Sequence, residues 1–267
     1  MAFEIGVSSA CFYPLETEKS LELAGSYGFK NVELFLNSPS ELSDDFVGKL
    51  IDIRNRYGIH IVSVHPFFSF AESFFLFSDY ARRFEDILPL YDRFFKVTSM
   101  LGADIFVIHG MKKISSASAV NNDEYCRRFK RLIDMGKAYG VKVCHENVVD
   151  HRCESPEYME MMRENIGDDF RIVLDIKQAR RAGFTPYDFL EPLHDSIVHI
   201  HISDRNDRCD CITPLKGNFD FAEFFSTAKS YGYNGKFIIE LYEWSYKDKE
   251  EIAEAYKKLI NIAESCC

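Results

Sequence analysis

Eight times along this chain a short apolar run gives way to a stretch with helical spacing, and that alternation limits the fold more than any other feature. Strands buried on both faces of a parallel sheet read as near-continuous apolar runs, and helices that cover them repeat every three to four residues. The predicted strands are Phe3–Ala10, Asn31–Asn37, His60–His65, Asp104–His109, Val141–Glu146, Phe170–Ile176, Ile197–Asp204 and Lys236–Leu241. The helices between and after them cover Glu16–Tyr27, Asp44–Tyr57, Tyr80–Leu101, Asp123–Tyr139, Ser155–Ile166, Pro186–His194, Phe221–Tyr231 and Lys249–Ala263. Tyr27-Gly28, Tyr57-Gly58, Leu101-Gly102, Tyr139-Gly140 and Tyr231-Gly232 each precede a new strand, as expected of a glycine that ends a helix with positive φ. Eight such units in 267 residues, 46% of them hydrophobic, predict an α/β fold, a (β/α)8 TIM barrel in a single domain over 1–267.

Composition narrows the class of partner. A formal net charge of -10 argues against a general binder of nucleic acid or of an anionic membrane. No apolar run reaches the roughly 20 residues of a membrane span, and Met1-Ala2-Phe3-Glu4 has no basic region or apolar segment of an export signal. The eight cysteines (11, 126, 144, 153, 209, 211, 266 and 267) lack a framework spacing and fit reduced thiols in a cytoplasmic protein.

A barrel of this kind carries its chemistry where strands end, at the C-terminal mouth. The predicted ends supply His65, His109, Glu146, Asp175, His201 and Glu240. A carboxylate inside an apolar strand end is costly to bury unpaired, and three converging on one mouth repel each other. Two readings of Glu146, Asp175, His201 and Glu240 therefore stand. Either a divalent cation (Mn²⁺, Mg²⁺, Co²⁺ or Zn²⁺) is held by this mixed oxygen and nitrogen set, or the acids form a polar layer paired to Lys or Arg.

The whole chain resembles the xylose isomerase-like barrel superfamily of sugar isomerases, epimerases and endonuclease IV-type apurinic endonucleases. The resemblance is carried by Val64-His65-Pro66, Ile108-His109-Gly110, His145-Glu146-Asn147, Leu174-Asp175-Ile176 and His199-Ile200-His201-Ile202-Ser203-Asp204. Leu215-Lys216-Gly217-Asn218-Phe219-Asp220 and Ile239-Glu240 complete it. It implies one metal held by Glu146, Asp175, His201 and Glu240, with Glu146 and Glu240 also serving as the acid–base pair. It further implies that His65 and His109 shape a sugar pocket, and it marks Arg208 as a substrate contact. The pattern departs where the family usually has a His three residues after the strand-six Asp, because Gln178 stands there. Cys209-Asp210-Cys211-Ile212 likewise replaces the residues with which the endonuclease branch holds a third zinc. An endonuclease is thus the lesser alternative, beside an inosose-type dehydratase and a non-catalytic ligand-binding barrel; His65 and His109 leave a second metal at Glu146 open.

Further contacts are expected from Lys177, Gln178 and Arg205, as donors to hydroxyl or phosphate groups. Pro66–Phe77 holds six Phe in twelve residues. Such a loop reads as a pocket wall in which Phe67 faces substrate, as a contact between copies in a homo-oligomer, or as packing over the barrel rim. With no Gly-rich phosphate cradle, the expected substrate is a small unphosphorylated polyol or keto acid.

Overall fold

In a computed structural model, residues 3–113 and 119–266 are described; Met1, Ala2 and Cys267, on which readings above touch, lie outside them. The strands are β1 (Glu4–Ser8), β2 (Asn31–Phe35), β3 (His60–His65), β4 (Ile105–Ile108), β5 (Lys142–Glu146), β6 (Arg171–Asp175), β7 (Ile197–Ile202) and β8 (Lys236–Ile239). Each pairs in parallel with the next, and β8 returns to β1 through Glu4↔Lys236 to Val7↔Ile239, so the sheet is a closed barrel. The helices are α1 (Thr17–Ser26), α2 (Asp44–Tyr57), α3 (Glu72–Phe75), α4 (Ala81–Met100), α5 (Asn122–Lys137), α6 (Pro156–Ile166), α7 (Ile176–Arg181), α8 (Pro186–Leu193), α9 (Phe221–Ser230) and α10 (Glu250–Ser265). None is long and apolar enough to cross a membrane.

The predicted stops act as expected. Gly58 ends α2 at φ 60°, and Gly28, Gly102, Gly140 and Gly232 also have positive φ. At the other end of α2, Ser43 accepts from Phe46 N while Asp44 and Asp45 sit in the first turn, favourable to the helix dipole.

Alternation along each strand decides what reaches the barrel interior. On β5, His145 lies against α5, 5.0 Å between its ring centre and that of Phe129, while Glu146 faces the other way. Two differences from the sequence reading bear on the site. The first strand ends at Ser8 in a 3-10 turn (Ser9–Phe12), and a short extra helix, α7, begins directly after Asp175. The Phe-rich stretch is not one loop but a 3-10 turn and α3, with Phe68 and Phe77 buried and Phe70 77% exposed.

Candidate active site

The strand ends bring four of the expected side chains to one point. Glu146 and Asp175 are the last residues of β5 and β6, His201 is next to last in β7, and Glu240 follows β8. Each of the four offers a ligand atom within 4.8 Å of the others. His201 Nδ1 is 3.5 Å from Glu146 Oε1 and 3.7 Å from Glu240 Oε2.

Asp175 is held by what surrounds it. Its backbone N–H donates to Asn147 Oδ1 (2.7 Å), and Asn147 Nδ2 donates back to the Asp175 carbonyl (3.0 Å). Its Oδ1 caps α7, accepting from Lys177 N (2.6 Å) and Gln178 N (2.9 Å). Oδ2 alone is left for other partners.

The floor of the site is a residue the sequence reading passed over. Glu33, an acid in the middle of the buried strand β2, is fully buried, and its Oε2 accepts from Ser63 Oγ (2.9 Å), His199 Nε2 (3.2 Å) and His201 Nε2 (3.0 Å). A lone carboxylate in Asn31-Val32-Glu33-Leu34-Phe35 was the available signal, since such a group has to find buried donors. With Nε2 committed to Glu33, His201 turns Nδ1 to the acids.

Electrostatics follow from burial and neighbours. Burial pushes the Glu33 carboxyl up, but His201 and His199 outweigh it and hold the group well below the usual range. Glu146 is likewise held low, against burial, by His109, His201 and His65. Burial raises Asp175 despite Lys177, whereas Lys177 and His201 overcome burial to lower Glu240. His201 is raised well above its ordinary value: burial opposes its charge, and Glu33, Glu240 and Glu146 more than restore it.

Do these residues fit a divalent ion? Asp175 Oδ2 and His201 Nδ1 are both buried without a hydrogen-bond partner, and Glu146 Oε1 lies 3.5 Å from that Nδ1. Carboxylate oxygens and an imidazole nitrogen brought within 4.8 Å of one another from separate strand ends are what a hard or borderline cation satisfies. The set fits. The ion-paired alternative is also partly realised, because Lys177 Nζ donates to Glu240 Oε2 at 2.9 Å and stands 3.1 Å from Asp175 Oδ2 without the alignment of a hydrogen bond. Lys177 is thus tied to the acids and is not a free donor for substrate.

Above the cluster lies a cavity of about 450 Å³, lined by Phe35, His65, His109, Gln178 and Tyr242 among others, with Glu146 and Glu240 in its wall. His65 Nε2 and His109 Nε2 are 2.8 Å apart, and His109 Nε2 is 3.1 Å from Glu146 Oε2. These three also form a group able to hold an ion. Gln178 accepts through Oε1 from Val149 N (3.3 Å). Tyr242 stacks on Trp244, 4.7 Å between ring centres, and Trp244 is 75% exposed at the rim.

Other expected residues fall elsewhere. Arg208 is exposed in the loop after β7 and does not line this cavity, and the same holds for Arg205, which lines a separate cleft beside Arg180. The reason is Asp204, whose carboxylate accepts from Arg205 N, Gly217 N and Phe219 N and folds that loop back on itself. The fold-back is close enough that a Cβ at Gly217 would lie 1.9 Å from Arg205 O. Phe67 borders a smaller cleft with Phe35, Phe70 and His109, one step outside the main cavity. Asp210 is engaged by Arg181 at 2.5 Å, and Cys211 is buried, with Ser245 Oγ donating to its Sγ. The seven cysteines among the described residues are free thiols.

Comparison with known proteins agrees with this architecture. A family model described as a xylose isomerase-like TIM barrel matches residues 21–262. Two uncharacterized proteins of Methanocaldococcus jannaschii are 25% and 26% identical, over 97% and 98% of this chain and 90% and 98% of their own lengths. Among solved structures, a D-tagatose 3-epimerase-like protein superposes with a TM-score of 0.79 at 21% identity, covering 98% of both chains. An L-ribulose 3-epimerase gives 0.78 at 16% identity, over 100% of this chain and 96% of the other. The IOLI protein with a binding zinc atom gives 0.73 at 17% identity, over 98% and 96%. At these identities the structural likeness establishes the fold.

Proposed function

Since the chain belongs to the xylose isomerase-like TIM barrel family, we propose that it is a divalent-metal-dependent isomerase or epimerase acting on a sugar, or on a sugar-like polyol or keto acid, through an enediolate. The observation that carries the reading is the pair Glu146 and Glu240, which wall one cavity and belong to one group of convergent ligand atoms. The epimerases among its structural neighbours are consistent with it.

The chemistry required is removal of a proton from a carbon beside a carbonyl. One glutamate takes that proton, and the electron pair of the broken C–H bond moves onto the carbonyl oxygen. Return of a proton to the opposite face of the same carbon gives the epimer; return to the former carbonyl carbon, with the hydroxyl proton passing from the first oxygen to the other, gives the isomer. Both glutamates have the charge a base needs, since His109 and His201 favour ionised Glu146, and Lys177 and His201 favour ionised Glu240. Glu146, Asp175, His201 and Glu240 would hold the ion, which when bound supplies positive charge to stabilise the enediolate. His65, His109 and Gln178 line the cavity where substrate hydroxyls would be positioned. A small molecule is the expected partner, and the cavity of about 450 Å³ is in the range of small-ligand sites.

The test is metal analysis of the purified protein followed by a deuterium-exchange screen over ketoses, keto acids and inososes in D₂O. The expected result is metal-dependent incorporation of solvent deuterium into one class. Loss of water from an inosose would redirect the reading to dehydration. No exchange with any class, in protein loaded with each of the four metals in turn, would remove it.

A further inference from the structure

A cation already stands among the acids. Lys177 lies two residues after Asp175, and its side chain is 2% exposed. Its Nζ is 2.9 Å from Glu240 Oε2 and 3.1 Å from Asp175 Oδ2, so it touches two of the four groups that converge here. On its other side the ammonium is 4.7 Å from the centre of the Tyr242 ring. The Lys177 backbone N–H is held by Asp175 Oδ1 at the start of α7, and Lys177 lines the cavity.

We propose that Lys177 is a resident counter-ion of this acid cluster, holding Asp175 and Glu240 together when no divalent ion is bound and giving up at least one of them when an ion binds. The inference rests on the metal reading above and deepens it, because it makes metal affinity a property set partly by a residue that is not a ligand. The reasoning is electrostatic. An ammonium sharing carboxylates with a divalent ion repels it at contact distance in a water-poor site, where such repulsion is poorly screened. Without Lys177, the acids of the empty cluster repel one another, which destabilises the metal-free protein and raises its affinity for a cation. A lysine is suited to the task since its four-carbon stem lets the charge move while α7 stays in place. The displaced ammonium moves towards the cavity and the Tyr242 face, where a π-system receives it.

The experiment compares the full chain with Lys177→Met, both stripped by chelation, using calorimetric titration with Mn²⁺ and melting temperatures with and without Mn²⁺. Lys177→Met should bind Mn²⁺ more tightly by at least about tenfold. It should melt lower than the parent without metal and show the larger rise when Mn²⁺ is saturating. Lys177→Gln, which keeps a donor for Glu240 but loses the charge, is held to the same expectation and serves if the Met variant does not fold metal-free. Equal or weaker Mn²⁺ binding in these variants, with binding intact in the parent, would overturn the role of Lys177 and leave the metal reading standing. No Mn²⁺ binding to parent or variants would overturn both.

Discussion

Glu33 Oε2 stands 3.0 Å from His201 Nε2, and this contact across the barrel decides which nitrogen of His201 meets the acids. Glu33 comes from β2 and His201 from β7, so the pair exists only because the sheet closes. The arrangement is that of a carboxylate behind an imidazole, which fixes the ring and strengthens the nitrogen that would meet the proposed ion.

Glu33→Gln should therefore weaken Mn²⁺ binding by about 10–100-fold although Glu33 itself is no ligand of the proposed ion. The amide keeps the volume but removes the charge that faces His199 and His201. Calorimetric titration reads the change. Unaltered affinity would mean that His201 is oriented by packing alone.

Glu146→Gln and Glu240→Gln separate coordination from proton transfer. For the substrate that shows exchange, each variant should lose on the order of 10²–10⁴ in turnover even at saturating metal. The double variant should be little worse than either single one, because a single proton route uses both groups. Recovery of turnover when metal is raised would reduce that glutamate to a ligand.

His145 should make the protein acid-sensitive. Burial against α5 holds its imidazole down at about 3, and its Nε2 accepts from Tyr125 OH at 2.7 Å. Unfolded, the ring takes up a proton near its ordinary value of 6.5. The folded value is the depressed one, so between these limits the unfolded chain binds more protons and stability rises with pH. The contribution is complete above about pH 6.5 and falls by about 1.4 kcal/mol per unit as pH drops toward 3. Urea unfolding of the parent and of His145→Gln across this range should show their difference shrinking as pH falls. A constant difference would mean that His145 is protonated in the folded state.

How much of this was legible beforehand depends on the distance over which each feature is decided. The β/α alternation and the glycine stops are local, written into runs such as Ile105–Ile108 and the positive φ at Gly58. Once a barrel is inferred, the rule that chemistry lies at strand ends selects His65, His109, Glu146, Asp175, His201 and Glu240 without knowledge of any contact. The convergence of Glu146, Asp175, His201 and Glu240 is then a matter of register, with Asp175 opposite His201 in the ladder between β6 and β7.

Sequence alone determined the barrel and the kinds of side chain that line its mouth, because a strand's burial and a helix's end are set by a few neighbouring residues. The closed tertiary structure alone decided how each buried charge is satisfied. Glu33 and His201 are 168 residues apart, and Lys177 and Glu240 are 63 apart. The family resemblance marked Arg208 as a substrate contact, yet Asp204 draws its loop back onto Gly217 and leaves it in solvent. In a low-dielectric interior a charge takes whichever partner the fold sets within about 3 Å, and the order of residues along the chain does not say which partner that will be.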